Sequence, residues 1–338
     1  MNSKNPHGFV PSCTVVICTR DRPTELNRCL EAVTRLDYPR FDVLVVDNAP
    51  GEARARDVAR RWDAGYLVEP VPGLSRARNH GARASQTEVV AYLDDDGIPE
   101  PDWLSRLVSE FWDPMVMAVA GRICFLSEGT LVFQLDLMQG PPHECLKHRA
   151  VDCETPNWFE MANFGGLGSG GNMAFRRSVF DVWEGFDVRL GRGAILDGGE
   201  EDYAFFRLID LGYRVVFVPD AVVRHPAPQT EEELRRELLR HITTSVGYMT
   251  LLLFEEAPYR RATLHYIMQA FQRTPRPWRT HQSEYRSLPR WRTALAAIWG
   301  PLLYAKARLI NRDHNRMYAL KPIGGGGTLR VGVRGTNR

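Results

Sequence analysis

The first 120 residues predict an α/β protein, a sheet of parallel strands with helices covering both faces. Three observations carry this. Short apolar runs rich in β-branched residues recur at 14–18, 42–47, 66–68, 89–93 and 116–120, with segments of helical period between them. Several of these runs end in polar or charged residues: Thr19-Arg20-Asp21-Arg22, Asp47-Asn48 and Asp94-Asp95-Asp96. No apolar stretch is long enough to span a bilayer, since the uncharged stretch Thr293–Ala305 is short and contains Gly300-Pro301. Alternating strands and helices form parallel sheets with right-handed crossovers, and such sheets bind ligands beyond the carboxyl ends of their strands. The polar strand ends are therefore the candidate site.

Between the strands, Leu26, Cys29, Leu30 and Val33 recur at helical spacing, and a second helix is expected from about Ala53 to Trp62. Pro72-Gly73 breaks the chain, and Ser75 starts a short helix with Arg76, Arg78 and Asn79. Pro101 opens a helix with Trp103, Leu104, Leu107, Val108 and Phe111 on one face. Residues 122–170 have few periodic signals and read as irregular. The run Gly165-Gly166-Leu167-Gly168-Ser169-Gly170-Gly171 lacks a leading buried strand, so it is no dinucleotide fingerprint and reads as a mobile loop over a substrate. Asn172–Phe175 is a strand. Glu200, Glu201 and Asp202 then open a helix whose dipole suits three acids. Tyr213–Val218 and Val222–His225 are two further extended pieces. Thr230 and Glu233 form a capping box for a long helix, and two more helical patterns follow, the last around Trp291–Ile310. From Gly324 the chain is glycine-rich and reads as disordered.

With 44% hydrophobic and 25% charged residues, the 338-residue chain is globular in composition. Its net charge of +2 hides an asymmetry. Residues 257–338 hold 16 Lys/Arg and two acids, and the first 256 hold 27 basic and 39 acidic residues. An acidic body thus precedes a basic tail. The six cysteines form no C-x-x-C, and the spacing of His143, Cys145, His148 and Cys153 fits no zinc motif. Reduced thiols in a cytoplasmic protein without a signal peptide are the simplest expectation.

Alternate residues of an extended chain share a face, so Asp94 and Asp96 can point into one site while Asp95 points away. Such carboxylates either form a solvated acidic turn or hold a hard divalent cation such as Mg²⁺ or Mn²⁺ with phosphate oxygens.

Seven strings, in order, resemble family-2 glycosyltransferases of the GT-A fold: VVICTRDRP (15–23), VLVVDN (43–48), GLSRARNHG (73–81), VVAYLDDDGIPEPDWL (89–104), GGNMAFRR (170–177), GGEEDYAFFRLIDLGYRV (198–215) and AVVRH (221–225). The resemblance covers about residues 12–228. It implies a Rossmann-like three-layer nucleotide-binding sheet with a C-terminal helical extension. The expected divisions are a nucleotide-sugar-binding half at 1–121, an acceptor and catalytic-base half at 122–228, a basic helical extension at 229–322 and a disordered tail at 323–338.

The implied activity is metal-dependent, inverting transfer of a sugar from a UDP-, GDP- or dTDP-sugar to a hydroxyl acceptor, in glycan, glycolipid or specialised-metabolite glycosylation. By the resemblance, Asp96 is the metal ligand, helped by Asp94 and His225, with Asp95 able to exchange roles. Thr19, Arg22, Asp47, Arg78, Asp94 and Asp95 contact the nucleotide sugar. The catalytic base lies in an E-D pair, which assigns it to Asp202. Counting back without a gap from Arg207-Leu208 and Gly212-Tyr213 puts Glu201 there instead. A sugar nucleotidylyltransferase and a non-catalytic nucleotide-sugar-binding scaffold are the alternatives. The basic tail, with Trp291, Trp299 and Tyr304 among its cations, suggests peripheral contact with an anionic membrane and a lipid-linked acceptor. No recognition module points to nucleic acid.

Overall fold

The computed structural model describes residues 8–52, 54–127, 130–132, 147–228, 230–272 and 289–310. Strands β1 (Cys13–Thr19), β2 (Phe41–Asn48), β3 (Gly65–Glu69) and β4 (Val89–Asp94) lie parallel in the order β3-β2-β1-β4. Helices α1 (Pro23–Val33), α2 (Arg54–Arg61) and α3 (Leu74–Ala84) make the crossovers. The register pairs Thr19 with Asp47 and Cys18 with Asp94, which brings the polar strand ends to one rim of the sheet.

Beyond β4 the sheet is mixed and not parallel throughout. Strand β9 (Asn172–Arg176) inserts antiparallel between β4 and β6 (Val116–Ser127), because the chain enters it from the opposite rim. Tyr213–Val218 and Val222–His225 prove to be one strand, β10 (Arg214–Pro226), parallel to β6 with a register shift between Val218 and Val222. The two-residue β5 (Ile98–Pro99) pairs antiparallel with β10, Ile98 opposite Arg224, and so brings the end of β10 to the acidic triplet. The expected irregular stretch also contains structure: β7 (Thr130–Val132), β8 (Arg149–Val151) and α5 (Trp158–Asn163). The residues 143–146 of the zinc-like string lie outside the described residues. His148 Nε2 is instead 2.8 Å from Glu110 Oε1.

Helix α4 (Trp103–Leu107) is shorter than expected and passes into a 3₁₀ turn at Ser109–Trp112. Side chains of alternating strand residues feed two cores. Val15, Ile17, Leu26, Leu30, Trp103 and Phe111 fill one face of the sheet. Val16, Tyr92, Phe175, Phe205 and Phe206 fill the other, together with Leu251 and Tyr304 from the C-terminal helices. The helical extension thus shares a core with the sheet.

Helix α6 (Glu200–Asp210) begins after Gly199, whose φ of 80° favours glycine. Helix α7 (Glu231–Glu255) starts where predicted, with the Thr230 hydroxyl accepting the Glu233 N–H at 3.2 Å. After α8 (Arg260–Gln272), α9 (Arg290–Ile310) packs along α7. This last helix spans the expected pattern, with Gly300-Pro301 inside it. Proline removes one backbone bond, and the close crossing with α7 compensates: Ala296, Gly300, Tyr304 and Ala307 are buried there. Arg189 ties the pair to the body, its guanidinium bonded to Asp187 and Glu255, and Tyr304 Oη donates to the same Glu255 at 3.0 Å. Among the described residues no helix is long and apolar enough to cross a membrane. The tail beyond Ile310 lies outside the described residues.

A Cβ on Gly300 would meet Gly247 N at 2.6 Å and Thr243 O at 2.8 Å, both backbone atoms of α7. Gly300→Leu should therefore force the helices apart and cost at least about 1–3 kcal/mol, read as a lowered unfolding midpoint in urea. An unchanged midpoint would mean that the crossing is not close.

Candidate active site

The triplet after β4 is divided among different partners. Asp95 is buried and turns back to the body: its carboxylate accepts from Thr19 Oγ1 and from Arg22 Nη1, each at 2.7 Å. Burial pushes its pKa up to about 7 against the pull of Arg22 and Thr19. Asp94 and Asp96 face the opposite way, as the strand alternation predicts, and meet His225 from the end of β10. Ligand atoms of Asp94, Asp96 and His225 all lie within 4.8 Å of one another. Asp96 Oδ1 is 2.9 Å from His225 Nε2, and Arg22 Nη2 holds Asp96 Oδ2 at 2.7 Å. Burial would raise the Asp96 carboxyl, but His225 and Arg22 outweigh it and hold it well below the usual range. On the far side of the ring, Nδ1 is 2.8 Å from the Pro226 carbonyl and can only donate to it. In the neutral ring that leaves the Nε2 lone pair facing a carboxylate, an arrangement relieved by a proton or a cation. Two carboxylates and an imidazole so disposed fit Mn²⁺ or Mg²⁺.

Arg78 is the buried counter-charge. Its guanidinium donates to Glu200 Oε1 at 2.7 Å and to the Gly170 carbonyl at 2.8 Å, and lies 3.5 Å from Asp94 Oδ1. Burial alone would lower its pKa, and Glu200 and Asp94 reverse that. Glu201, beside Glu200 on α6, accepts the Gly170 N–H at 3.1 Å. Burial and repulsion from Glu200, opposed by Arg78, raise its pKa to about 7. Asp202 makes no hydrogen bond or ion pair among the described residues. Burial, with Glu201 and Glu200 nearby, pushes it well above the usual carboxylate range.

The glycine run is not a free loop. Gly166, Leu167, Gly170 and Gly171 are buried. A Cβ on Gly171 would collide with the Asp94 carboxylate, and one on Gly170 would lie 3.0 Å from Arg78 Nη2. Gly170 and Gly171 are glycine because their backbone lies directly against the charged groups, whereas Gly166 packs on the Met161 backbone.

A cavity of about 800 Å³ opens over this rim, and Thr19, Arg22, Asp94, Asp95, Asp96 and His225 all line it. Asp47, Arg78, Glu201 and Asp202 do not. Asp47 is closed off from solvent at the end of β2. Its Oδ2 accepts from Tyr66 Oη at 2.7 Å, while the buried Oδ1 has no hydrogen-bond partner among the described residues. The sequence reading missed the opposite wall, where Glu233, Glu237 and His241 project from α7. Their spacing of four residues places them on one helix face, which was the available signal. Burial and the neighbouring Arg240 lower the His241 pKa to about 4, so its ring is neutral near pH 7.

The mixed α/β sheet, with a carboxylate-histidine cluster at its strand ends, fits the GT-A fold that the sequence resemblance implies. The mannosyltransferase PcManGT from Pyrobaculum calidifontis, solved in complex with GDP-Man and Mn²⁺, has a similar fold, with a TM-score of 0.50 over 90% of this chain and 87% of that one at 18% identity. The glycosyl transferase family 2 pattern matches residues 14–183, half of the chain, which therefore belongs to that family. Glycosyltransferase AglE of Haloferax volcanii is 27% identical over 239 residues, 68% of this chain and 71% of that one. An N-acetylglucosaminyltransferase of Rhizobium meliloti is 26% identical over 68% of this chain and 55% of its own length. The pre-mycofactocin glycosyltransferase of Mycobacterium tuberculosis is 31% identical over 63% of this chain and 42% of its own length. The chain thus spans about half the length of the latter two. The family pattern and these relatives make it a glycosyltransferase.

Because Arg78 neutralises acids that are otherwise buried, Arg78→Met should destabilise the fold by about 3–5 kcal/mol. Adding Glu200→Gln should recover much of the loss in a double-mutant cycle followed by urea unfolding. Additive effects would mean that the two groups are not coupled.

Proposed function

We propose that the protein transfers a sugar from a nucleoside-diphosphate sugar to an acceptor hydroxyl with inversion at the anomeric carbon, assisted by Mn²⁺ or Mg²⁺. The observation that carries this reading is the convergence of Asp94, Asp96 and His225 at the floor of the cavity. These three residues would hold the cation, and the imidazole favours Mn²⁺ over Mg²⁺. When bound, the cation supplies Lewis-acid stabilisation of the charge that develops on the departing diphosphate. The GDP-Man and Mn²⁺ of PcManGT are in keeping with such a donor and cation.

The chain's own residues supply the rest. Arg22 and Thr19 hold Asp95 and keep the triplet divided, so that Asp94 and Asp96 face the donor. The unpartnered Oδ1 of Asp47 is an acceptor suited to a base N–H. Helix α7, across the cavity, is where the acceptor enters. Of the two candidate bases we favour Glu201 over Asp202, because Glu201 is joined through Gly170 to the Arg78–Asp94 group while Asp202 makes no hydrogen bond or ion pair among the described residues. As the acceptor oxygen bonds to the anomeric carbon and the bond to the diphosphate breaks, Glu201 takes the hydroxyl proton. A base in this role contributes about 10²–10⁴-fold.

Titration calorimetry with UDP, GDP and dTDP should find tight binding of one of them with Mn²⁺ or Mg²⁺ and weak binding with chelator. Equal affinity in chelator would remove the cation from the reading.

Glu201→Gln should cut turnover by about 10²-fold or more with donor affinity retained, and Asp202→Asn should be milder. The reverse order would assign the base to Asp202. A base near pKa 7 must lose its proton to act, so kcat/KM should be full above that pH and fall as pH drops below about 7.

A further inference from the structure

Helix α9 has two apolar faces, and α7 covers only one. Opposite the buried Ala296–Gly300–Tyr304–Ala307 seam lie Trp291, Leu295, Ile298, Trp299, Leu302 and Leu309, between 46% and 70% exposed. At 3.6 residues per turn these six fall within an arc of about 100°. The helix carries no acidic residue. Lys306 lies within the apolar arc and Arg292 beside it, while Arg308 lies on the flank toward the seam residue Tyr304.

We propose that this outer face of α9 rests on an anionic phospholipid bilayer, lying in the plane of the interface. Tryptophan is the residue preferred at the boundary between acyl chains and headgroups, and long basic side chains extend from apolar surface to the phosphates. A spanning orientation is ruled out by the seam with α7, which fixes one side of α9 to protein. A second copy of the chain is the poorer occupant. Pairing this face with itself would bring cations against cations with no acid on the helix to answer them. An anionic headgroup layer answers all of them, in line with the 16 basic and two acidic residues of 257–338. Partitioning needs neither donor nor cation, so the inference stands or falls apart from the proposed reaction.

The test is flotation of the full chain with vesicles of phosphatidylglycerol and phosphatidylcholine, against vesicles of phosphatidylcholine alone. The expected result is binding to the anionic vesicles that weakens as salt rises. Because the variant sites are exposed, W291S/W299S and R292Q/K306Q/R308Q should keep the wild-type far-UV circular dichroism and melting midpoint. Each should lose binding, the charge variant by on the order of 100-fold. No binding to anionic vesicles at low salt, or binding unchanged in both variants, would overturn the proposal. So would a concentration-dependent dimer in sedimentation equilibrium that W291S/W299S abolishes, since a second copy would then own the face.

Discussion

Arg78 is a single buried cation among acids that do not tolerate one another. Asp94, Glu200 and Glu201 converge on it from a strand, a helix and, through Gly170, the glycine run. Removed from water, Glu200 carries a large desolvation cost that only a nearby opposite charge offsets, and Asp94 and Glu201 add their repulsion to it. The guanidinium is suited to this because its fork serves several acceptors at once and it keeps its proton when buried. Where β4, α6 and the glycine run sit relative to one another thus depends on one side chain in α3.

Arg22 does comparable work at the solvent side. By bonding Asp95 with one nitrogen and Asp96 with the other it offsets the repulsion within the triplet, while Asp94 and Asp96 stay within reach of His225. The imidazole is oriented from behind by the Pro226 carbonyl. Orientation of a ligand by a group one bond removed is how metal sites keep their geometry before the ion arrives. Here the supporting groups come from the first and last strands to be read along the domain.

Much of this was legible in the sequence because the signals are local. A β-branched run that ends in Asp94-Asp95-Asp96, or a Thr230–Glu233 cap, announces itself within ten residues. His225 was reachable only by resemblance, since the two-residue β5 that draws β10 toward the triplet has no periodicity to read. The antiparallel insertion of β9 depends on which rim the chain returns from, a property of the whole path. The close crossing at Gly300-Pro301 has no local signal, because it depends on Gly247, more than fifty residues away. The glycine run misled in a different way. Absence of side chains marks both a supple loop and a backbone pressed against charged groups, and only the neighbours distinguish them.

Helix α7 joins two surfaces. Its first half lines the cavity with Glu233, Glu237 and His241, and its second half seats Gly300 of α9. A helix of 25 residues is a stiff rod of about 37 Å. Each inserted or deleted residue would turn one end against the other by about 100°, so a single indel midway would rotate either the carboxylates out of the cavity or Gly247 away from its crossing. Two full turns, about seven residues, restore the phase. The length of this rod is therefore quantised: a change that keeps both surfaces falls at its ends or comes in steps of that size.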